Sequence, residues 1–399
     1  MRILFVADGR SPIALNWIKH FVEAGYEVHL VSTFPCEPQL EFASCHVVPV
    51  AFSTAAGSPP EEVEPSRRDS FTAFGGKIIR ALSTPRMRTR VRQWFGPRTL
   101  PKAVEQLKTI YAQVQPDLIH AMRIPFEGML AAQAKPDAPL LISVWGNDFT
   151  LHGKSTPVMN RLTRKTLKRA SALHTDCRRD ADLALKWGFS KKKPVAVLPG
   201  AGGIQPDIFY PPTKGDAPVR PTIINPRGFR AYVRNDTFFK AIPRVLEHQR
   251  DALFLCPNMA GEAEAESWVE RLGIEAAVEL LPRQPRNQMA ELFRSSQIVV
   301  SPSTHDGTPN TLLEALACGC FPIAGDIQSI REWVTPGENG LLVDPGNARE
   351  LADAIINAII NADLRAHARK RNLKMVKKHA TYKVVMKEAE KFYAKIVEQ

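Results

Sequence analysis

Two series of short aliphatic runs, each alternating with amphipathic stretches and parted by a proline-rich break, constrain this chain more than any other feature. Strand–helix–strand alternation is satisfied by a parallel sheet with right-handed crossovers. The first series opens with Arg2–Ala7 (RILFVA). Ile13, Trp17, Ile18, Phe21 and Val22 then form one apolar stripe at helical spacing, stopped by Gly25. Glu27–Ser32 is the next strand, followed by Cys45–Pro49, Leu118–His120, Leu140–Val144, Leu173–Thr175 and Val195–Leu198, with helices around 101–115, 125–134, 156–170 and 178–187. Gln205–Pro221 carries five prolines and little apolar periodicity, so it reads as a linker. The second series comprises strands Thr222–Ile224, Ala252–Leu255, Val278–Leu280, Gln297–Val300, Phe321–Ala324 and Gly340–Val343. Its helices are Asp236–Glu247, Glu262–Leu272, Arg286–Phe293 and 309–317, and a helical tail occupies about 348–399. The expected fold class is α/β, with a domain at 1–205, a linker at 206–221 and a second domain at 222–380. Ligands of doubly wound sheets gather at the carboxyl ends of the strands, and a pair of such domains offers the cleft between them.

Composition narrows the function. The 399 residues exceed one ordinary core. The six cysteines have no metal-ligand spacing; Cys318 and Cys320, in CGC, are one residue too close for CxxC. They read as free thiols in a reducing compartment. Met1–Val6 enters a strand directly, so no signal peptide is expected, and no apolar run is long enough to span a bilayer. A cytoplasmic protein is the expectation. The net charge of +12 is clustered: Arg80, Arg86, Arg88, Arg90, Arg92 and Arg98 interleave with Met87, Val91, Trp94 and Phe95, while RLTRKTLKR (161–169) and Lys191–Lys193 add two more patches. No nucleic-acid recognition module accompanies them. Residues 80–98 suit a peripheral contact with anionic lipid; a solvated basic face is the competing reading.

The chemistry concentrates in residues 301–326, SPSTHDGTPNTLLEALACGCFPIAGD. Asp306 opens a loop containing Gly307, Thr308 and Pro309, and Glu314 follows eight positions later on the next helix. Thr308 suits the helix cap, Pro309 its first position and Gly319 its end. Asn310 and Glu314, four apart, share a face. The backbone of the 309–311 turn, including Thr311, favours a diphosphate, and Glu314 suits the vicinal diol of a ribose. Asp306 lies near whatever the phosphates carry. After Thr222–Ile224, NPRGFRAYVRND places Arg227, Arg230 and Arg234 in one loop, a forked clamp for pyrophosphate.

These segments resemble the retaining glycosyltransferases of the GT-B fold, family 4. The resemblance rests on Asp306 and Glu314 as an acidic-x7-acidic motif, on Ala317–Pro322, on Arg227 and Arg234, and on PGENGLLVDPGNARELADAI (Pro336–Ile355). It extends loosely over the first half. It implies two Rossmann-like domains facing each other across a cleft, with a C-terminal helix (381–399) returning to the first domain. The implied reaction is metal-independent transfer from a nucleoside-diphosphate sugar, with UDP preferred on family frequency, to a glycan or lipid-linked acceptor. In that scheme Arg227, Arg234, Asp306 and Asp148 serve catalysis. The sequence departs from the family's pattern in four places: Asp306 stands for the usual Glu, Arg234 for Lys, ADGRSP (Ala7–Pro12) for a Gly-Gly turn, and Trp145 for a histidine.

Acceptor-side candidates follow the first-domain strands: Arg10 and Ser11, then His120, Arg123 and Glu127 (HAMRIPFEG), then Trp145 and Asp148 (WGND). A histidine ending an apolar strand also serves structure. No cofactor or metal is expected. An epimerase or hydrolase of the same scaffold, and a non-catalytic nucleotide-sugar binder, remain as alternatives.

Overall fold

The computed structural model describes residues 1–37, 39–53, 85–213, 220–230 and 232–398, with the side chains of Pro85, Arg86 and Arg88 left out. Arg80 of the basic cluster lies outside the described residues. The chain divides into two compact units. Met1–Asp176, Asp180–Ala201 and Glu388–Gln399 form the first, and Cys177–Arg179 and Gly202–Lys387 the second.

The first unit is built on seven parallel strands: β1 (Arg2–Ala7), β2 (Glu27–Ser32), β3 (Ser44–Val47), β4 (Leu118–Ala121), β5 (Leu140–Val144), β6 (Ala172–Thr175) and β7 (Val195–Val197). Their order is β3-β2-β1-β4-β5-β6-β7, so chain direction across the sheet reverses between β1 and β4. Leu4 and Val6 face one core and Ile3 and Phe5 the opposite side, all at 0% exposure, which is why β1 reads as an unbroken aliphatic run. The second unit repeats the plan with β8 (Thr222–Ile224), β9 (Leu253–Pro257), β10 (Val278–Leu281), β11 (Ile298–Ser301), β12 (Phe321–Gly325) and β13 (Leu341–Val343), in the order β10-β9-β8-β11-β12-β13. Its sheet has a core on each side: Phe238, Phe254 and Ile323 contribute to one, Leu313, Leu316 and Val299 to the other.

Two helical expectations change. Residues 125–134 are not one helix: Phe126 stands at φ 71°, ψ −54°, which makes Ile124–Gly128 an irregular turn before the short helix Met129–Ala134. A helix over Pro85–Phe95 was not expected, because arginines at alternate positions obscure its apolar periodicity. The tail forms three helices, Ala348–Ile360, Ala362–His379 and Tyr382–Val397.

The last turns of the tail anchor to the first unit through one buried chain of hydrogen bonds. Trp17 Nε1 donates to Tyr393 Oη (2.9 Å), which bonds His120 Nδ1 (2.5 Å). His120 Nε2 lies 2.7 Å from Ser143 Oγ, Ser143 Oγ 2.8 Å from His174 Nδ1, and His174 Nε2 2.9 Å from the Leu198 carbonyl. A carbonyl only accepts, so His174 carries its proton on Nε2. Each donor upstream is then fixed in turn, ending with Tyr393 donating to His120. Burial holds His120 well below the usual histidine range and His174 at about 4, so both rings are neutral. His120, expected on the acceptor side, is at 0% exposure with both nitrogens in this chain. The structural alternative therefore holds for it.

Candidate active site

In the second unit the order reverses between β8 and β11, and the loops leaving these two strands meet. The β8 loop is braced by two asparagines. Asn225 Nδ2 donates to Asn235 Oδ1 (3.1 Å), and Asn235 Nδ2 to the Gly228 carbonyl (2.9 Å). Gly228 sits at φ +60°, and a Cβ there would lie 2.6 Å from Asn258 Nδ2, so glycine is required. This brace presents Arg227, which is 7% exposed. Its Nη2 lies 2.5 Å from Asp306 Oδ2 and its Nη1 donates to Thr311 Oγ1 (3.0 Å), while Nε is buried without a partner. Gly307 N donates to the other Asp306 oxygen (3.1 Å), and Ser329 Oγ donates to the Asp306 carbonyl (2.7 Å). The β8 and β11 loops thereby bring Arg227 and Asp306 together, engaging each other.

The helix after this loop is Asn310–Ala317, with Pro309 as its cap residue. Two details of the expected turn change. Thr308 Oγ1 accepts from Trp333 Nε1 (2.9 Å), and no side chain caps the helix. Pro309 has no N–H, so the backbone donors of the turn are those of Asn310 and Thr311. Gly319, at φ +87°, follows the C-cap Cys318. Glu314, one turn in, is pushed up to about 7 by burial, against the pull of Arg286 and Arg227. Only the ionised form of this carboxyl accepts hydroxyl protons at both oxygens.

The other two arginines of the clamp are engaged locally. Arg234 makes a bidentate pair with Asp236 (2.8 and 2.9 Å) at the start of the helix Asn235–His248. Arg230 is exposed and donates to Tyr232 Oη (3.1 Å). Sequence reasoning missed Asn225, Ser329 and Trp333. Asn225 follows a strand directly, a signal that was present; Ser329 and Trp333 lie far downstream of Asp306 in sequence and carry none.

The first unit gathers its own constellation where β1, β2, β4 and β5 end. Asp148, at 0% exposure, accepts from Arg123 Nη2 (2.8 Å), Ile124 N (3.0 Å) and Trp145 N (3.2 Å). Both its oxygens are thus occupied by the turns they organise. Ser11 caps the helix Pro12–Glu23, accepting from Ala14 N (3.4 Å). Arg10 pairs with Asp8 (3.1 Å) and its guanidinium lies 3.8 Å from the Phe34 ring centroid. Arg123 lies 5.3 Å from the centre of a Trp145 ring, and Trp145 Nε1 is buried without a partner. Glu127, only 2% exposed, accepts from Thr33 Oγ1 (2.7 Å) through Oε1.

Comparison with known proteins places this architecture. A family model described as "Glycosyl transferases group 1" matches residues 215–375, and one described as "Glycosyl transferase 4-like domain" matches residues 9–201. The D-inositol 3-phosphate glycosyltransferase of Rhodococcus opacus is 34% identical over 102 residues, covering 25% of this chain and 23% of that protein. The same enzyme of Corynebacterium jeikeium is 29% identical over 134 residues, 32% of each. The matches thus span less than a third of these curated relatives. A sucrose-phosphate synthase from Thermosynechococcus elongatus superposes with a TM-score of 0.74 at 18% identity, covering 99% of both chains. Anabaena HepE, crystallised with UDP, gives 0.72 at 14% identity over 99% of this chain and 100% of its own. At such identities the structures establish the fold alone. The two parallel sheets are those of the GT-B fold, and both halves match glycosyl transferase family models. The chain belongs to the group 1 glycosyl transferases, with a 4-like N-terminal domain.

Proposed function

We propose that this protein transfers a sugar from a nucleoside diphosphate, with UDP the preferred carrier, to a glycan or lipid-linked hydroxyl, retaining the anomeric configuration and using no metal ion. The observation that carries the donor half is Arg227, buried at the β8–β11 switch point between Asp306 and Thr311. A β-phosphate seated there meets a preorganised fork and the N–H groups of Asn310 and Thr311. Arg234 and Arg230 supply further positive charge, and Glu314 receives the ribose hydroxyls. UDP is favoured because Anabaena HepE, of the same fold, was crystallised with UDP and with UDP-glucose.

The reaction breaks the bond between the anomeric carbon and the β-phosphate oxygen. Charge grows on that oxygen, where Arg227 and Arg234 stabilise it. The acceptor oxygen attacks on the same face and its proton passes to the departing diphosphate. Asp306 and Asn310 hold hydroxyls of the transferred sugar. Arg10, Arg123, Glu127 and Trp145 form the acceptor side, with Asp148 holding Arg123 in place.

The lipid-linked reading draws support from the helix Pro85–Phe95, where Met87, Val91, Trp94 and Phe95 are 46–60% exposed beside Arg90 and Arg98. It packs beside the helix Pro157–Arg169, whose Arg161, Arg164, Lys165 and Lys168 line a basic groove with Lys154. Among the described residues no helix is long and apolar enough to cross a membrane, so attachment would be peripheral.

Thermal stabilisation by UDP, GDP, ADP and their sugars, with and without EDTA, tests the donor. A specific ligand at 100 times its Kd adds about 2.7 kcal/mol. An EDTA-insensitive shift with one nucleotide, lost in Glu314→Ala, is expected; no shift with any would refute the reading.

A further inference from the structure

Arg92 belongs by sequence to the basic 80–98 cluster, yet its guanidinium lies at the centre of the first unit's constellation. Its guanidinium carbon is 5.0 Å from the Phe34 ring centroid and 4.8 Å from that of Phe126. Two rings, one on a residue forced to positive φ, hold one planar cation. Its Nε is buried with no hydrogen-bond partner.

Arg10 and Arg123 each have a carboxylate, Asp8 and Asp148, as ion-pair partner. The remaining carboxylate, Glu127, leaves Oε2 buried and unpartnered while Oε1 is held by Thr33. Burial raises its carboxyl above the usual range, with Arg123 and Arg92 pulling the other way. Burial, with Arg123 and Arg92 adding to it, depresses His152 to about 3, so that ring, hydrogen-bonded to Gln93 (3.1 Å), is neutral and adds no charge. An unpartnered fork nitrogen and an unpartnered carboxylate oxygen, both buried, are costly unless a ligand completes them.

We propose that the acceptor carries an anionic group, phosphate or carboxylate, which Arg92 binds between Phe34 and Phe126, while an acceptor hydroxyl donates to Glu127 Oε2. This rests on the acceptor-side reading of the first unit given above. A neutral glycan's hydroxyls could satisfy Glu127 and accept from Arg92 Nε, but would bring no counter-charge to the guanidinium. A planar, always-charged fork held by aromatic faces fits an oxyanion better than a hydroxyl.

The test uses the full chain saturated with UDP, so that the donor's own arginines are occupied, and titrates inorganic phosphate and, separately, acetate at fixed ionic strength, reading thermal stabilisation. Saturable stabilisation by either anion is expected, and the one acting at lower concentration identifies the group. Arg92→Gln should weaken it at least tenfold, and Arg92→Lys should restore part of it. Undiminished UDP stabilisation in each variant shows that it is folded. Stabilisation by neither anion, or equal stabilisation in Arg92→Gln, overturns the proposal. Absence of the UDP shift in the unaltered protein would instead overturn the donor reading. The anion arm is then read without UDP, as the difference between the unaltered protein and Arg92→Gln.

Discussion

Arg227 and Asp306, 79 positions apart, form a nearly buried ion pair of 2.5 Å, with side chains 6% and 14% exposed. Each is assigned to a ligand from sequence, and in the structure each engages the other. A diphosphate arriving at Arg227 therefore meets the Asp306 carboxylate beside it, a like charge at close range.

Removing that charge separates binding from transfer. Asp306→Asn should bind UDP as tightly as the unaltered protein or severalfold more tightly, yet lose at least about tenfold in turnover, because the sugar hydroxyl loses its charged acceptor. Calorimetry with UDP and single-turnover transfer measure the two effects. Weakened UDP binding would place Asp306 on the nucleotide instead.

Glu314 gives the donor site a pH dependence. In the proposed donor site the ionised carboxylate accepts two ribose hydroxyl protons, so a pKa raised to about 7 would make protonation compete with binding. Affinity for UDP should fall about tenfold from pH ~8 to pH ~6, and Glu314→Gln should flatten that profile. Stability runs the opposite way. The unfolded chain releases this proton near the ordinary carboxyl value while the folded chain retains it, so this group's contribution declines as pH rises towards about 7. Glu314→Gln should accordingly gain in Tm relative to the unaltered protein at pH ~8 compared with pH ~5. A difference that is independent of pH would argue against the shifted carboxyl.

The chain of hydrogen bonds through Tyr393 makes a stability prediction. Tyr393→Phe leaves Trp17 Nε1 and His120 Nδ1 buried and unpaired, at a cost of about 1–3 kcal/mol, readable in urea denaturation. His120 and His174 are neutral in the fold but protonate when unfolded, so stability should fall as pH drops below about 6.5. A Tyr393→Phe protein with unchanged Tm would remove this role for the hydroxyl.

The exposed aromatics of the helix Pro85–Phe95 lead to a test on vesicles. Co-sedimentation with phosphatidylglycerol vesicles should decline with salt and drop severalfold in the double variant Trp94→Ala, Phe95→Ala. Equal retention on neutral phosphatidylcholine vesicles would count against the electrostatic part.

The strand–helix alternation was legible because strands covered on both faces are nearly pure aliphatic runs; β1, β2, β5 and β8 occupy the expected residues. The meeting of Arg227 with the Asp306 loop was legible because loops leaving adjacent strands at a switch point converge. The helix Pro85–Phe95 was hidden, since its exposed apolar residues bury no stripe for periodicity to report.

By itself the sequence determined the two α/β series and the loops that leave β8 and β11, all set by local patterning. Only the tertiary structure decided which polar residues face a ligand and which face each other. His120 lies near the end of β4 and Asp148 in the turn after β5, where ligand-binding residues gather, yet each spends its hydrogen bonds on the fold. Arg92 and Glu127, 35 positions apart, are left with unpartnered atoms. Hydrogen-bond partners are settled by groups distant in sequence, and no local pattern encodes whether a donor's partner lies within the protein or must come from outside.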